Sequence, residues 1–154
     1  MMAQEKSALM NPHHARSRAR RFAVQALYQW QISKQDIGDI ETQFVADYEM
    51  DKVDVPYLRE LLHRSVERAG ELEASLTPLL DRPFVEVDPV ERSVLLIGAY
   101  ELSYRCEIPY RVVINEAIRL AKLFGAHDSY KYINGILDKL AQKTRTAENP
   151  ATLN

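Results

Sequence analysis

The sequence has one cysteine, five glycines and no long apolar run, and each scarcity excludes a class of protein. With a single thiol, Cys106, the chain cannot form an internal disulfide, which favours a reducing, cytoplasmic setting. We predict that this thiol is buried and structural. No glycine lies in the GxGxxG or GxxxxGKS/T patterns that hold phosphates, which excludes a dinucleotide enzyme and a P-loop NTPase. No stretch of 18 apolar residues occurs, and the N-terminus lacks the apolar segment of a secretory signal.

Signatures of catalysis and of metal binding are equally scarce. The sequence contains no HExxH, CxxC or GxSxG motif. Carboxylates such as Glu71 and Glu73 stand two residues apart on a predicted helix, so they point in different directions. His13 and His14 have no further ligands at a suitable spacing. We therefore predict a protein that is not an enzyme and that uses neither a metal nor a cofactor.

Hydrophobic residues make up 46% of the 154 residues, enough to build a core, and their spacing is helical. From Ala15 to Trp30 they recur every three or four positions, and similar stripes follow along the chain. Strict alternation and Asn-Gly turns, the signals of strands and hairpins, are nearly absent. The pattern predicts an all-α protein with six to seven helices in two small packed helical bundles.

Caps and prolines predict where these helices begin and where the chain divides. Asp36 is typical of an N-cap, and Asp88-Pro89-Val90-Glu91 is typical of a capping box with proline in the first turn. Two prolines, Pro83 and Pro89, indicate that the segment from Arg82 to Pro89 is a connector between two helical halves. We predict a flexible N-terminal tail at 1–14, a helical domain at 15–144 with sub-bundles of roughly 15–82 and 83–144, and a loose C-terminal tail at 145–154.

The segment from Val94 to Tyr100 is apolar on nearly all sides. A helix of this kind is typical of the centre of a bundle, where other helices cover it completely. Gly98, in the middle of the segment, would let a neighbouring helix approach closely.

Charge is segregated along the chain although the net charge is only −2. The net charge is +5 in residues 1–35, −10 in residues 36–108 and +3 in residues 109–154. Two basic ends around an acidic middle indicate two surfaces with different partners. A basic surface attracts polyanions, because neutralised phosphates release counterions. The alternative is that the arginines between positions 16 and 21 only form a solvated helix face.

Five segments of the sequence keep a specific order and spacing. Residues 109–118 read PYRVVINEAI, residues 120–129 read LAKLFGAHDS, and residues 131–139 read KYINGILDK. Near the N-terminus, RSRAR at 16–20 precedes AVQALYQWQ at 23–31. Together they span roughly residues 15–143, and they resemble the NusB family of bacterial transcription antitermination factors.

The resemblance implies an all-α fold of two small helical bundles, in agreement with the periodicity. It also implies a function. With NusE, a ribosomal protein of the small subunit, such proteins bind the single-stranded boxA element of nascent ribosomal RNA. The complex helps RNA polymerase to read through terminators, and no reaction is catalysed. A self-associating protein whose homodimer masks the RNA surface remains the alternative.

The resemblance further implies a set of RNA-binding residues on the first helix and around the start of the last one. These are Arg16, Arg18, Arg20, Arg21, Tyr28, Asp128, Lys131 and Tyr132. The arginines would contact phosphates, Tyr132 would stack on a base, and Asp128 would accept a hydrogen bond from an exocyclic amine. Two alternatives stay open: Asp128 as an N-cap, and Tyr132 as a half-buried packing residue.

By the same resemblance, Glu91 and Tyr28 are the residues expected to contact NusE. The acidic middle of the chain would attract NusE, because a ribosomal protein is expected to be basic. Glu91 has an alternative role, since it stands where it could simply close the capping box that begins at Asp88.

Overall fold

The computed structural model describes residues 11–146, and α-helices make up most of this part of the chain. Within these residues there are seven α-helices and no strand, which confirms the predicted all-α class. The helices are α1 (Pro12–Ser33), α2 (Ile37–Asp47), α3 (Val55–Glu67), α4 (Ala69–Leu76), α5 (Pro89–Tyr104), α6 (Tyr110–Phe124) and α7 (Ser129–Thr144). Two single-turn 3-10 helices, Thr77–Leu79 and Phe84–Glu86, lie between α4 and α5.

The first helix begins at Pro12, three residues earlier than its predicted start at Ala15. Asn11 is its N-cap, and the Asn11 side chain accepts a hydrogen bond of 2.8 Å from the backbone N–H of His13. Asn-Pro therefore starts the helix here, because asparagine is a good N-cap and proline is tolerated in the first turn. The remainder of the predicted N-terminal tail lies outside the described residues.

The other predicted caps are confirmed at α2 and α5. The Asp36 carboxylate accepts from the backbone N–H of Gly38 at 3.0 Å. The Asp88 carboxylate accepts from Val90 at 2.8 Å and from Glu91 at 3.4 Å. Each bond satisfies a helix N–H that has no partner within the helix.

The chain divides into two compact units, and the first of them ends at His63, within α3. Its core contains side chains that are completely buried on α1 (Ala19, Ala23, Leu27), α2 (Ile40) and α3 (Leu58, Leu61). The backbone N–H of Asp54 donates to the carbonyl of Ala15 at 3.1 Å, which ties the start of α3 to α1. This link brings the arginines of α1 close to the first turn of α3.

The second unit begins at Arg64 and is built around α5. Every residue of α5 from Ser93 to Leu102 is buried, and α4, α6 and α7 pack against the helix. A Cβ atom at Gly98 would lie 2.7 Å from Cδ1 of Leu137, so the glycine permits the close approach of α7. The predictions that the segment from Val94 to Tyr100 is buried at the centre of a bundle and that Gly98 lets a neighbouring helix approach are therefore confirmed. The sub-bundle boundary predicted at the connector stays a prediction.

Arg145 follows α7 at the edge of the predicted loose tail, yet the structure buries it to 5% exposure. Its guanidinium donates to four backbone carbonyls at 2.8–3.1 Å, those of Glu101, Leu102, Arg105 and Ile108. The group therefore ties the end of α7 to the end of α5 and to the loop that follows.

Cys106, in the same loop, is exposed, so the prediction of a buried thiol is wrong. Its position after the last turn of α5 leaves it outside the apolar core. None of the helices in residues 11–146 is long and apolar enough to cross a membrane.

We expect Arg145→Ala to lower the free energy of unfolding by about 2–4 kcal/mol, because buried carbonyls would lose a charged donor. Lys143→Ala, an exposed neighbour on α7, is the matched control and should change it by less than about 0.5 kcal/mol. Urea denaturation of the two variants measures the difference. If the Arg145→Ala and Lys143→Ala variants are equally stable, the hydrogen bonds of Arg145 do not contribute to the free energy of unfolding.

Candidate nucleic-acid interface

The four arginines of α1 separate into two pairs with different surroundings. Arg16 and Arg20, one helical turn apart, face Tyr57 of α3, and their guanidinium carbons lie 4.6 Å and 5.6 Å from the centre of its ring. Arg18 and Arg21 lie on another side of the helix, where Arg18 is half-buried and Arg21 is exposed. The arginines between positions 16 and 21 therefore have two roles: one pair packs against Tyr57, and the other pair does not take part in this contact.

Arg20 is only 2% exposed, which argues against its predicted contact with RNA phosphates. The position is buried because the guanidinium lies over the Tyr57 ring, a stable arrangement for arginine since its planar cation is weakly hydrated. Arg16 is about one third exposed, and its Nε lies 3.7 Å from the carboxylate of Asp54. Arg16 can still reach a phosphate, but only by sharing its charge with Asp54.

On the other side of α1, Arg21 is exposed and Arg18 is half-buried. Neither guanidinium has an ion-pair partner among residues 11–146. Tyr28, whose side chain is 41% exposed, follows Arg21 by seven residues, two helical turns further along the same strip. The structure thus presents two cations and an aromatic ring on one face of the helix. This is the composition of a surface that contacts phosphates and bases.

In the second unit, Tyr132 belongs to a cluster with Arg82, the first residue of the connector, and with Asp81, which precedes it. Its hydroxyl donates to Oδ1 of Asp81 at 3.0 Å, and the guanidinium carbon of Arg82 lies 5.2 Å from the ring centre. Arg82 also donates to both carboxylate oxygens of Asp81, at 2.9 Å and 3.1 Å. Tyr132 is half-buried, so it combines the predicted packing role with one accessible edge.

The electrostatics of this cluster follow from its hydrogen bonds. Hydrogen bonds from Arg82 and from Tyr132 lower the pKa of the Asp81 carboxyl, because both donors favour the carboxylate. Burial raises the pKa of the Tyr132 phenol, and its bond to Asp81 raises it further. Tyr132 therefore remains a neutral hydrogen-bond donor at physiological pH.

Sequence reasoning missed Asp81 and Arg82 as members of the site. The only signal in that segment was Arg82-Pro83, which indicates a break in helical structure and nothing about binding. Their contact with Tyr132 depends on how the connector lies against α7, some 50 positions along the chain. No local pattern encodes such a contact.

Glu91, the predicted NusE-binding residue, lies in the first turn of α5 next to the same cluster. Burial raises the pKa of its carboxyl, and the negative charge of Asp88 raises it further. A hydrogen bond with the Ser129 side chain and the positive charge of Arg82 act in the opposite direction. The Glu91 carboxyl thus interacts with the start of α7, while the capping bonds of α5 come from Asp88.

Asp128 stands at the N-cap position of α7, but its side chain makes no capping hydrogen bond, so the capping interpretation is wrong. Its backbone angles, φ −105° and ψ 9°, differ from the extended conformation that directs a cap side chain back over the helix. The exposed carboxylate instead lies 3.5 Å from Nζ of Lys131. Because an exposed pair of this kind is weak, a ligand can replace the lysine at little cost.

Within residues 11–146, no group of three or more His, Cys, Asp or Glu side chains is placed to hold a metal ion. The site consists of cations, carboxylates and aromatic rings. Such side chains bind ligands by charge, hydrogen bonding and stacking.

The comparisons with known proteins agree on one family. Residues 17–142 match the sequence model of the NusB family. The chain is 53% identical over 134 residues to a transcription antitermination protein NusB of Alcanivorax borkumensis, an alignment that covers 87% of this chain and 89% of the relative.

Two solved structures have the same fold. The chain resembles NusB of T. maritima with a TM-score of 0.77 and 26% identity, over 94% of this chain and 99% of the other. It also resembles a chain of the crystal structure of antitermination factors NusB and NusE in complex with dsRNA, with a TM-score of 0.74, 22% identity, and coverage of 82% and 96%.

The raised pKa of Glu91 predicts a pH-dependent difference in stability between the protein and its Glu91→Gln variant. The folded state favours the protonated carboxyl, so the contribution of Glu91 is present below the ordinary value of 4.5 and is lost as the pH rises through the raised pKa. Since glutamine stays neutral, the variant should gain in melting temperature relative to the parent over that range. If the difference in melting temperature between the two proteins does not change with pH, the pKa of Glu91 is not raised in the folded state.

Proposed function

The chain belongs to the NusB family, and we propose that it is a transcription antitermination factor that binds the boxA element of nascent ribosomal RNA together with NusE. In this proposal the assembly acts on RNA polymerase in the cytoplasm and promotes read-through of terminators, and the chain catalyses no reaction. The relative from Alcanivorax borkumensis, named a transcription antitermination protein, supports the role. The presence of NusB, NusE and dsRNA in one crystal structure of the same fold supports the partners.

The observation that carries the proposal is a pair of arginines on α1, the exposed Arg21 and the half-buried Arg18. Arg18 and Arg21 have no ion-pair partner in the described part of the chain, so phosphate binding would not first have to break an internal contact. Tyr28, two turns beyond Arg21, adds a ring that can contact a base or NusE. We assign phosphate contacts to Arg18 and Arg21, and a weaker contribution to Arg16.

In the second unit we assign base recognition to Asp128 and Tyr132. The exposed carboxylate of Asp128 can accept from an exocyclic amine, and Lys131 next to it can contact a phosphate. Tyr132 and Arg82 already lie against each other, and both a phenol ring and a guanidinium plane can stack on an unpaired base. The internal bonds to Asp81 hold these two groups in position before RNA arrives.

We assign the NusE contact to Glu91, with Tyr28 as a second contact. Glu91 is partly buried and adjoins Asp81 and Asp88, so this end of α5 is acidic. A basic partner would relieve the repulsion among these carboxylates, which favours docking there. Partial burial also strengthens the interaction with an incoming cation.

A homodimer that masks the RNA surface is the second candidate, and one observation favours it. Ile32, 58% exposed, lies one turn beyond Tyr28 on α1. Two apolar side chains beside the arginines could bury each other across a two-fold axis and cover the cations. Light scattering tests this candidate, because a dimer has twice the 17.7 kDa mass of the chain and should dissociate when boxA RNA is added.

The double variant Arg18→Ala with Arg21→Ala should weaken binding to boxA and to scrambled RNA by similar factors. Each phosphate contact with a single strand contributes about 0.7 to the slope of log K against log salt concentration, so the slope should fall by about 1.4. The control, Arg59→Ala with Arg64→Ala, removes two exposed arginines of α3. Equal slopes for the two double variants would remove Arg18 and Arg21 from the RNA surface.

Glu91→Lys should weaken the binding of NusE at least about tenfold, because it places a cation against a basic partner. Glu49→Lys, an exposed carboxylate reversed in the first unit, controls for net charge. Calorimetric titration with NusE measures both, and circular dichroism monitors the helices. Unchanged affinity in a folded Glu91→Lys variant would exclude Glu91 from the interface, and Glu91→Gln gives the same test without a charge reversal.

A further inference from the structure

One face of α6 bears a line of cations that the site described above does not include. Arg111, Arg119 and Lys122 are exposed, and so is Asn115 between them. The four positions are separated by steps of four, four and three residues, which places them on one side of an α-helix. From Arg111 to Lys122 the line is about 16 Å long at 1.5 Å per residue.

No exposed carboxylate interrupts this line on α6. The only acid in the helix is Glu116, which is 4% exposed, and its nearest oxygen lies 3.8 Å from the guanidinium of Arg119. Close to the start of α6, the exposed Glu107 pairs with Arg105 at 2.6 Å, so its charge is already compensated. The exposed charged side chains of α6 are therefore all positive, although the whole chain is slightly acidic.

Aromatic rings hold the cations at both ends of the line. Nε of Arg111 donates to the hydroxyl of Tyr110 at 3.2 Å. At the other end, Nζ of Lys122 lies 4.6 Å from the centre of the Tyr130 ring, and Nζ of Lys131 lies 5.9 Å from the same ring. Tyr130 thus joins the line on α6 to Lys131 on α7, which in turn contacts Asp128.

We propose that Arg111, Asn115, Arg119 and Lys122 form a track that binds the backbone of the single-stranded RNA beyond the bases recognised near Asp128. Regularly spaced cations without intervening carboxylates suit a chain of phosphates, and the amide of Asn115 suits a 2′-hydroxyl or a base edge. A basic protein would be repelled by this face, which favours RNA over NusE as the occupant. The inference rests on the proposed function and extends its RNA site along α6.

The test compares two triple variants with the same change in net charge. The first, Arg111→Gln with Arg119→Gln and Lys122→Gln, removes the track. The second, Lys52→Gln with Lys139→Gln and Lys143→Gln, removes exposed lysines from other positions. Each protein, with NusE present, is titrated with a long boxA RNA, with its scrambled control and with a boxA RNA trimmed to the element itself, at several salt concentrations.

The track variant should lose at least about tenfold in affinity for the long RNAs, and its salt slope should fall by about 2, or 0.7 for each lost phosphate contact. The lysine control should keep the slope of the parent protein. Preference for boxA over the scrambled RNA should survive in the track variant, because the three substituted cations contact phosphates and Asn115 is kept.

Three results would overturn the inference. If the parent protein binds RNA and the track variant has the same salt slope, α6 makes no phosphate contacts while the proposed function stands. If the variant loses affinity for NusE and keeps its RNA slope, the face binds protein. If the parent protein binds no RNA with NusE present, the proposed function and the track fail together.

Discussion

The burial of α5 on every side is the constraint on which the second unit depends. Ten consecutive residues, from Ser93 to Leu102, are buried, so the helix depends on α4, α6 and α7 to cover it. Gly98 lets α7 approach, and Arg145 closes the far end by donating to the carbonyls of Glu101 and Leu102 in the last turn of α5. The candidate binding residues of this unit lie around the opposite end, where Glu91 interacts with Ser129 at the start of α7 and with Arg82 of the connector. Packing of the core in this unit thus positions Glu91, Asp128 and Tyr132.

In the first unit, the arginines between positions 16 and 21 of α1 serve both to pack the helix and to present positive charge. Alternate arginines of α1 lie on different sides of the helix, so Arg16 and Arg20 pack on Tyr57 while Arg18 is half-buried elsewhere and Arg21 is exposed. The packed pair ties α1 to α3 and orders the helix that presents the other two. The sequence predicts four equivalent arginines that contact phosphates. In the structure, Arg16 and Arg20 pack on Tyr57, so fewer of the four guanidinium groups are accessible.

Most of the fold could be predicted from the sequence, because helix periodicity and caps are local signals. Asp36 and Asp88 cap their helices as predicted, and the apolar run around Gly98 is the buried helix at the centre of its unit. Several of the differences involve contacts between distant segments or backbone angles, whereas the start of α1 at Asn11-Pro12 was a local signal that the prediction missed. The burial of Arg20 requires a ring supplied by α3, and the burial of Arg145 requires carbonyls more than 35 positions away. Asp128 has the right residue type for a cap, but its backbone conformation directs the side chain elsewhere.

The central claim is that this chain and NusE together recognise boxA. The most direct measurement is the affinity of boxA RNA and of a scrambled RNA of the same length for the protein, with and without NusE, at two salt concentrations. The account predicts that NusE tightens the binding of boxA much more than that of the scrambled RNA, and that the preference persists at the higher salt, since base contacts are less sensitive to salt than phosphate contacts. Equal binding of the two RNAs, unchanged by NusE, would contradict it.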